Sequence, residues 1–293
     1  MTRTPSRLLC MLSLAAVSGL PALSYGATKY EIGIFAGSAS KDYQSELRKM
    51  YKPLADYIAK ETHSHVRVEI SQSFNNMKSH LDSGRYAVLL APTHITAAAI
   101  DEGYVPVAKW NKPLVGMYVV AADKPYKQLA DLKGAKVGVS SRETAIGGLC
   151  VSALNQAGIR ADKDLGYVYE GKYQDVMARL LTENQLDAIC TGPAPWKEMN
   201  EKSPGKYRIL AKTTPIPGFA LSIDTHLSPK EKARLTQILV GMGKTPAGAK
   251  ALEAIKGSAG GATDTLPTTS KEYFEAKRLV EETRRQYDAQ IPE

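Results

Sequence analysis

Apolar residues recur along this chain with two periods, one of two and one of three to four, and the periods alternate. Residues 30–35 alternate as a strand, and 36–40 form a small polar loop behind it. Leu47, Met50, Tyr51, Leu54, Tyr57 and Ile58 are spaced by three and four, which marks one face of a helix. Residues 66–70 read as a second strand, and a helix starts near Asn75. An apolar run at 87–90 is short enough for a buried strand, and Ala91-Pro92-Thr93-His94 breaks it. An Ala-rich helix then leads to Tyr104. Strand, helix, strand, helix, strand is the order of a parallel sheet covered on both faces.

The order then restarts. Residues 118–121 are extended, and 129–134 form a short helix ended by glycine. A strand at 137–139 runs into a polar loop that feeds a helix toward Gly158. Another strand at 167–169, a helix at 173–183 and a strand at 187–190 follow, and 218–223 is a returning strand. The rest is helical apart from a glycine-rich interruption at 258–262. The expected fold is therefore α/β in two lobes, 27–118 with 222–293 and 119–221. The hinge should lie at 118–122 and 218–222, with an interlobe cleft between the lobes. Such folds bind ligands at the carboxyl ends of their strands, so the loops there carry the candidate site.

The 293 residues, 43% hydrophobic and 23% charged, enclose a core comfortably and exclude collagen, low complexity and wholesale disorder. A mean hydropathy of −0.26 excludes a polytopic membrane protein. The N-terminus has Arg3 and Arg7, an apolar stretch at 8–20 and small residues at 24–27, the order of a cleaved secretory signal. That stretch is short for a membrane span. Cys10 lies inside it without the preceding small residue that lipidation requires. The expectation is a signal peptide at 1–26 and a protein exported to the periplasm. The formal charge is +8, from 38 Lys and Arg against 30 Asp and Glu, and without the two signal arginines it is 36 against 30. The cations are spread along the chain, which modestly favours an anionic ligand and selects no nucleic acid.

Export leaves two cysteines, Cys150 and Cys190. An oxidising compartment permits one disulfide between them, and two buried thiols are the equal alternative. His63 and His65 lack the carboxylate or cysteine company of a metal site, so no metal and no other cofactor is expected. Trp110 and Trp196 either pack or stack on a ligand. No nucleophile elbow, zinc-protease helix, phosphate loop or dinucleotide fingerprint occurs in the sequence, and no nucleic-acid module.

Several segments together resemble the phosphate/phosphite/phosphonate-binding (PhnD-like) family of periplasmic solute-binding proteins of ABC transporters. They are Ile32-Gly33-Ile34-Phe35 before 51–58, Ala91-Pro92 followed by Ala98, the run at 131–139, and Ile216-Pro217-Gly218 before Leu227-Ser228-Pro229. The resemblance implies the two-lobed, type II periplasmic-binding-protein fold and a ligand held between the lobes. In the family a Ser-Thr-Ser-Gly stretch caps the first helix of the second lobe and grips ligand oxygens. Thr144-Ala145-Ile146-Gly147 stands in its place, with one hydroxyl kept and Glu143 ahead of it opposing an anion. The helix amides remain available to an anion.

The implied ligand-binding residues in the first lobe are Ser38, Phe74, Thr93 and His94. In the second lobe they are Ser140, Ser141, Thr144, Ala145, Tyr173 and Thr191. The expected protein is a monomeric, non-enzymatic receptor that passes a small anion to an ABC permease. The alternatives are a ligand sensor for a membrane signalling protein and, third, an enzyme using Cys150 or Cys190 as nucleophile.

Overall fold

The structure, a computed structural model, describes residues 29–35, 44–71, 74–141, 144–171, 174–256 and 262–288. The chain first lays down β1 (Lys29–Phe35), α1 (Gln44–Thr62), β2 (His65–Ser71), α2 (Phe74–Asp82), β3 (Val88–Ala91), α3 (Thr93–Asp101) and β4 (Tyr104–Trp110). It crosses to β5 (Met117–Ala121) and, after a 3₁₀ turn at Leu129–Leu132, repeats the motif. The repeat comprises β6 (Lys136–Ser140), α4 (Ala145–Gln156), β7 (Tyr167–Gly171), α5 (Gln174–Thr182), β8 (Ala188–Thr191), α6 (Pro193–Lys202) and β9 (Tyr207–Lys212). It then crosses back to β10 (Ala220–Asp224), α7 (Pro229–Leu239), a 3₁₀ turn at Met242–Lys244, α8 (Pro246–Ala254), β11 (Thr265–Pro267) and α9 (Ser270–Asp288). The expected periods hold where they were strongest: in the α1 stripe Leu47, Tyr51, Leu54, Tyr57 and Ile58 are buried and Met50 is partly buried against the same core. Among the described residues no helix is long and apolar enough to cross a membrane.

The two sheets share one arrangement, in the orders β11-β4-β10-β3-β1-β2 and β7-β6-β8-β5-β9. In the first, β2, β1 and β3 are parallel, and β10 runs antiparallel between β3 and β4. In the second, β7, β6 and β8 are parallel, and β5 runs antiparallel between β8 and β9. The sheets are thus mixed rather than parallel: each receives a reversed strand as the chain arrives from the other, and the first also carries β11 antiparallel to β4 at its edge. The arriving strand is the reason β4 and β9 exist as partners, and the periodicity had not predicted either.

The crossings lie at 111–116 and 213–219. The expected changeovers at 118/119 and 221/222 fall at residues of β5 and β10 that are paired in the ladders, and of the expected hinge segments 118–122 lies almost wholly in β5 whereas 218–222 begins in the second crossing and runs into β10. An apolar run continues across a sheet boundary without a mark in the sequence, so the changeover is placed by pairing instead. The crossings pair with one another: Leu114 N–H donates to Ile216 O at 2.8 Å, and Ile216 N–H returns the bond at 3.0 Å. Thr213 N–H donates to Gly116 O at 2.9 Å, and Gly116 N–H to Thr213 Oγ1 at 2.9 Å.

Each sheet is covered on both faces. Ile32, Ile34, Val88 and Leu90 pack under α1, α7 and α8, whereas Phe35 and Leu89 pack with Met77, Tyr86 and Ile95 on the opposite face. Val137, Val139, Cys190 and Leu154 form one core of the second sheet, and Met117, Val119, Met177 and Ile189 the other. Helix α9 joins the two halves. Tyr273 packs with Ala97 and Ala220 on the first, and Ala276 and Leu279 pack on Ala145 and Leu149 of α4. Its hydroxyl at Tyr273 donates to Gly218 O at 3.1 Å, and Lys277 pairs with Asp101 of α3.

A disulfide links Cys150 of α4 to Cys190 of β8, with Cα atoms 6.0 Å apart. It closes a sequence separation of 40 residues. On the chain-entropy account, reducing it should lower the unfolding free energy by roughly 3–4 kcal/mol, measurable by urea titration with and without reductant. Gly33 makes a second test. A Cβ there would lie 2.6 Å from the Tyr86 ring, whose hydroxyl donates to Glu69 at 2.8 Å. Gly33→Ala should cost about 1–3 kcal/mol through overpacking, read as a lower urea midpoint at unchanged slope.

Candidate functional site

In both sheets the parallel strands end toward the crossings. Ala220, the first residue of β10, pairs with Ala91 at the end of β3, and Met117, the first residue of β5, pairs with Thr191 at the end of β8. The carboxyl ends of β3 and β8 therefore border the two crossings, and the helices that follow the parallel strands start there. The starts of α3 and α4 touch the crossings: Thr93 bonds to Pro217 O, and Ala145 packs in one cluster with Leu114 and Ile216.

Pro92 precedes α3 in extended conformation, and the helix begins at Thr93. Thr93 is fully buried, and its hydroxyl donates to Pro217 O at 2.7 Å, tying α3 to the second crossing. His94 follows on the first turn. Its ring meets Phe35 edge to face, with centroids 6.3 Å apart at 85°. From the second half, Ala145 N–H, the first amide of α4, donates to His94 Nδ1 at 3.4 Å. This contact joins the two halves at the point where a helix presents unsatisfied amides.

Thr144 is the N-cap of α4. Its hydroxyl accepts from Gly147 N–H at 3.1 Å and donates to Ser141 O at 2.7 Å. Gly147 is required here: a Cβ would lie 2.1 Å from Ser141 O and 2.6 Å from Ser140 O. Ser140 is buried and donates to Cys190 O at 3.4 Å. Ser141 donates to the Glu170 carboxylate at 3.3 Å. Thr191 is fully buried at the end of β8.

Of the residues read from sequence, Thr93, His94, Thr144 and Ala145 come together where α3 meets α4. Ser140 and Ser141 lie at the foot of α4. Phe74 opens α2. Ser38 and Tyr173 lie outside the described residues, as do Arg142 and Glu143. The disulfide pairs Cys150 with Cys190 and leaves neither as a free nucleophile. Trp110 is buried, stacked on Phe219 with centroids 6.3 Å apart, and Trp196 packs with the Met177 core. Among the described residues no group of three metal-binding side chains forms, so His63 and His65 remain a pair. Glu170, Phe35 and Gly147 were not read from sequence as part of the site. Only Gly147 carried a signal, as the glycine of the altered cap motif.

Burial lowers His94 to a pKa of about 4, and no charged group contributes. The ring is therefore neutral near pH 7, as an acceptor at Nδ1 must be. The unfolded chain binds a proton at this histidine below about pH 6.5 and the folded chain does not, so folding is progressively disfavoured as pH falls from there toward 4. Wild type should lose more stability over that window than His94→Asn, measured by urea titration at each pH; equal losses would contradict the burial.

Residues 37–266 match the family described as ABC transporter, phosphonate, periplasmic substrate-binding protein. No curated protein matches the chain by sequence. Its fold is similar to XAC2383 from Xanthomonas citri bound to ATP, with a TM-score of 0.71 and 17% identity over 90% of this chain and 100% of that one. It is also similar to PhnD1 from Prochlorococcus marinus (MIT 9301) in complex with methylphosphonate, at 0.68 and 15% over 89% and 98%. The periplasmic aliphatic sulphonate binding protein SsuA from Escherichia coli gives 0.62 and 17% over 89% and 87%. At such identities the likeness is one of fold, that of type II periplasmic binding proteins. With the family match covering well over half of the chain, including the whole second sheet and both crossings, the chain belongs to the phosphonate family of ABC-transporter periplasmic substrate-binding proteins.

Proposed function

We propose that this protein is an exported receptor that captures a small oxyanion between two lobes and delivers it to an ABC permease. The observation that carries the reading is the first amide of α4, facing His94 across the junction of the two halves. A helix N-terminus presents donors and the positive end of its dipole, which suits an oxyanion. The family supplies the role, and the relatives bound to methylphosphonate or named for sulphonate supply the class of ligand.

On this reading the lobes are the first sheet with its helices, including α7, α8 and α9, and the second sheet with α4, α5 and α6. Ligand contacts both, so only the closed arrangement makes both sets of contacts, and ligand shifts the population toward it. Bending occurs at 111–116 and 213–219, whose mutual hydrogen bonds keep the two segments moving together. Among the proposed contacts, Ala145 supplies its amide and His94 its ring. Thr144 acts by holding the first turn of α4 in shape. Phe74, at the start of α2, remains a proposed contact, as do Ser38 and Tyr173, which lie outside the described residues. A signalling role shares this chemistry, and no particular contact favours it over transport. Both cysteines being bridged removes the nucleophile that an enzyme reading would need.

The test is a thermal-shift and X-ray scattering screen on protein refolded from denaturant, so that no ligand is carried over. The panel holds phosphate, phosphite, methylphosphonate, methanesulfonate, carboxylates and amino acids. A true ligand at a hundredfold excess over its Kd adds about 2.7 kcal/mol of stability and reduces the radius of gyration. A melt and a scattering curve unmoved by every oxyanion would sink the reading.

A further inference from the structure

We propose that His94 selects among oxyanions by requiring a hydrogen from the ligand. Its Nδ1 accepts from the Ala145 amide, so a ligand oxygen that takes over this amide also meets the imidazole lone pair. An oxyanion that keeps an acidic O–H satisfies both atoms, accepting from the amide with one oxygen and donating to Nδ1 with another. A fully ionised oxyanion satisfies the amide and faces the lone pair with its own. The inference rests on the function proposed above and adds the chemical form of the ligand.

The ring is poor at changing its role. Burial keeps it neutral, and Thr93, beside it in the chain, is fastened to the second crossing through Pro217 O. Its recorded contacts among the described residues are the Ala145 amide and the edge-on Phe35 ring, with no charged group among them. The contact to Ala145 is long, so the amide is held weakly and yields readily to an anionic oxygen, a stronger acceptor.

The hydroxyls around the site point the same way. Family resemblance led to the expectation that they would serve ligand oxygens, but four of them have committed their hydrogens elsewhere. Thr93 donates to Pro217 O, Thr144 to Ser141 O, Ser140 to Cys190 O, and Ser141 to the Glu170 carboxylate. These four donors are turned inward, and a carboxylate, that of Glu170, lies beside Ser141. A singly charged, still protonated oxyanion fits this balance of donors and acceptors.

Methylphosphonate and methanesulfonate test the idea directly. They share a methyl group and a tetrahedral head, and near neutral pH only the first carries an O–H. Calorimetric titration of the wild type at about pH 6.5 should give methylphosphonate an affinity about tenfold or more above methanesulfonate. That advantage should shrink as pH rises and methylphosphonate loses its last proton, while sulfonate binding stays flat. In His94→Asn, whose side chain can offer an N–H instead of a lone pair, and in His94→Ala, the ratio should fall to about threefold or less. Comparable affinity for both ligands in the wild type would overturn the proposal without any variant. So would an unchanged ratio in the two folded variants, or a preference that does not depend on pH. Binding of neither probe, nor of phosphate, would instead overturn the functional reading, and this proposal with it.

Discussion

Everything at the centre of this molecule follows from two short segments that must pair with each other while carrying the chain in opposite directions. The bonds between Leu114 and Ile216, and between Gly116 and Thr213, bring the end of β4 beside the start of β10 and the end of β9 beside the start of β5. Each arriving strand enters its new sheet reversed, because it starts at the edge where the parallel strands finish. The helices after β3 and β6 are thereby aimed at one another, and the meeting of His94 with Ala145 is a consequence of that connectivity.

Second in importance is the anchoring of the first turn of α4. Thr144 caps it from the front, Gly147 lets it lie against the carbonyls of Ser140 and Ser141, and the disulfide holds its second turn to β8. Three unrelated devices, a hydrogen bond, a missing side chain and a covalent bridge, act within six residues of one another on the sequence. A helix end restrained in this way presents its amides at a fixed position, which lowers the ordering cost of any ligand that uses them. The bridge sits against the first crossing as well: a Cβ on Gly116 would lie 3.3 Å from Cys190 Sγ and 3.4 Å from Cys150 Sγ.

Much of the fold was legible because burial imposes period on the sequence. The α1 stripe and the apolar runs at β3, β6 and β8 carried their elements plainly. β4 escaped notice, since Pro106 and Lys109 interrupt its apolar run, and β11 is only three residues long. Strand direction was illegible for a different reason: the same residues serve a parallel or a reversed strand, and only the crossings decide. The site followed the same division. His94 and Thr144 could be read as candidates because helices start after strands, but the destinations of the hydroxyl hydrogens could not be read. Pro217 O and Cys190 O are backbone atoms far away in sequence, and a carbonyl has no side-chain identity to recognise.

The reversed strand also governs when the first sheet can exist. β4 has no place beside β3 until β10 lies between them, and β10 begins only at Ala220, after the whole second sheet has been synthesised. Residues up to Trp110 therefore emerge with two strand edges whose partner in the finished sheet has yet to be made. Exposed edges of this kind invite pairing with other chains. The same topology that brings α3 against α4 leaves the first sheet incomplete until β10 is made, and it ties the covering of those edges to the synthesis of the last third of the chain.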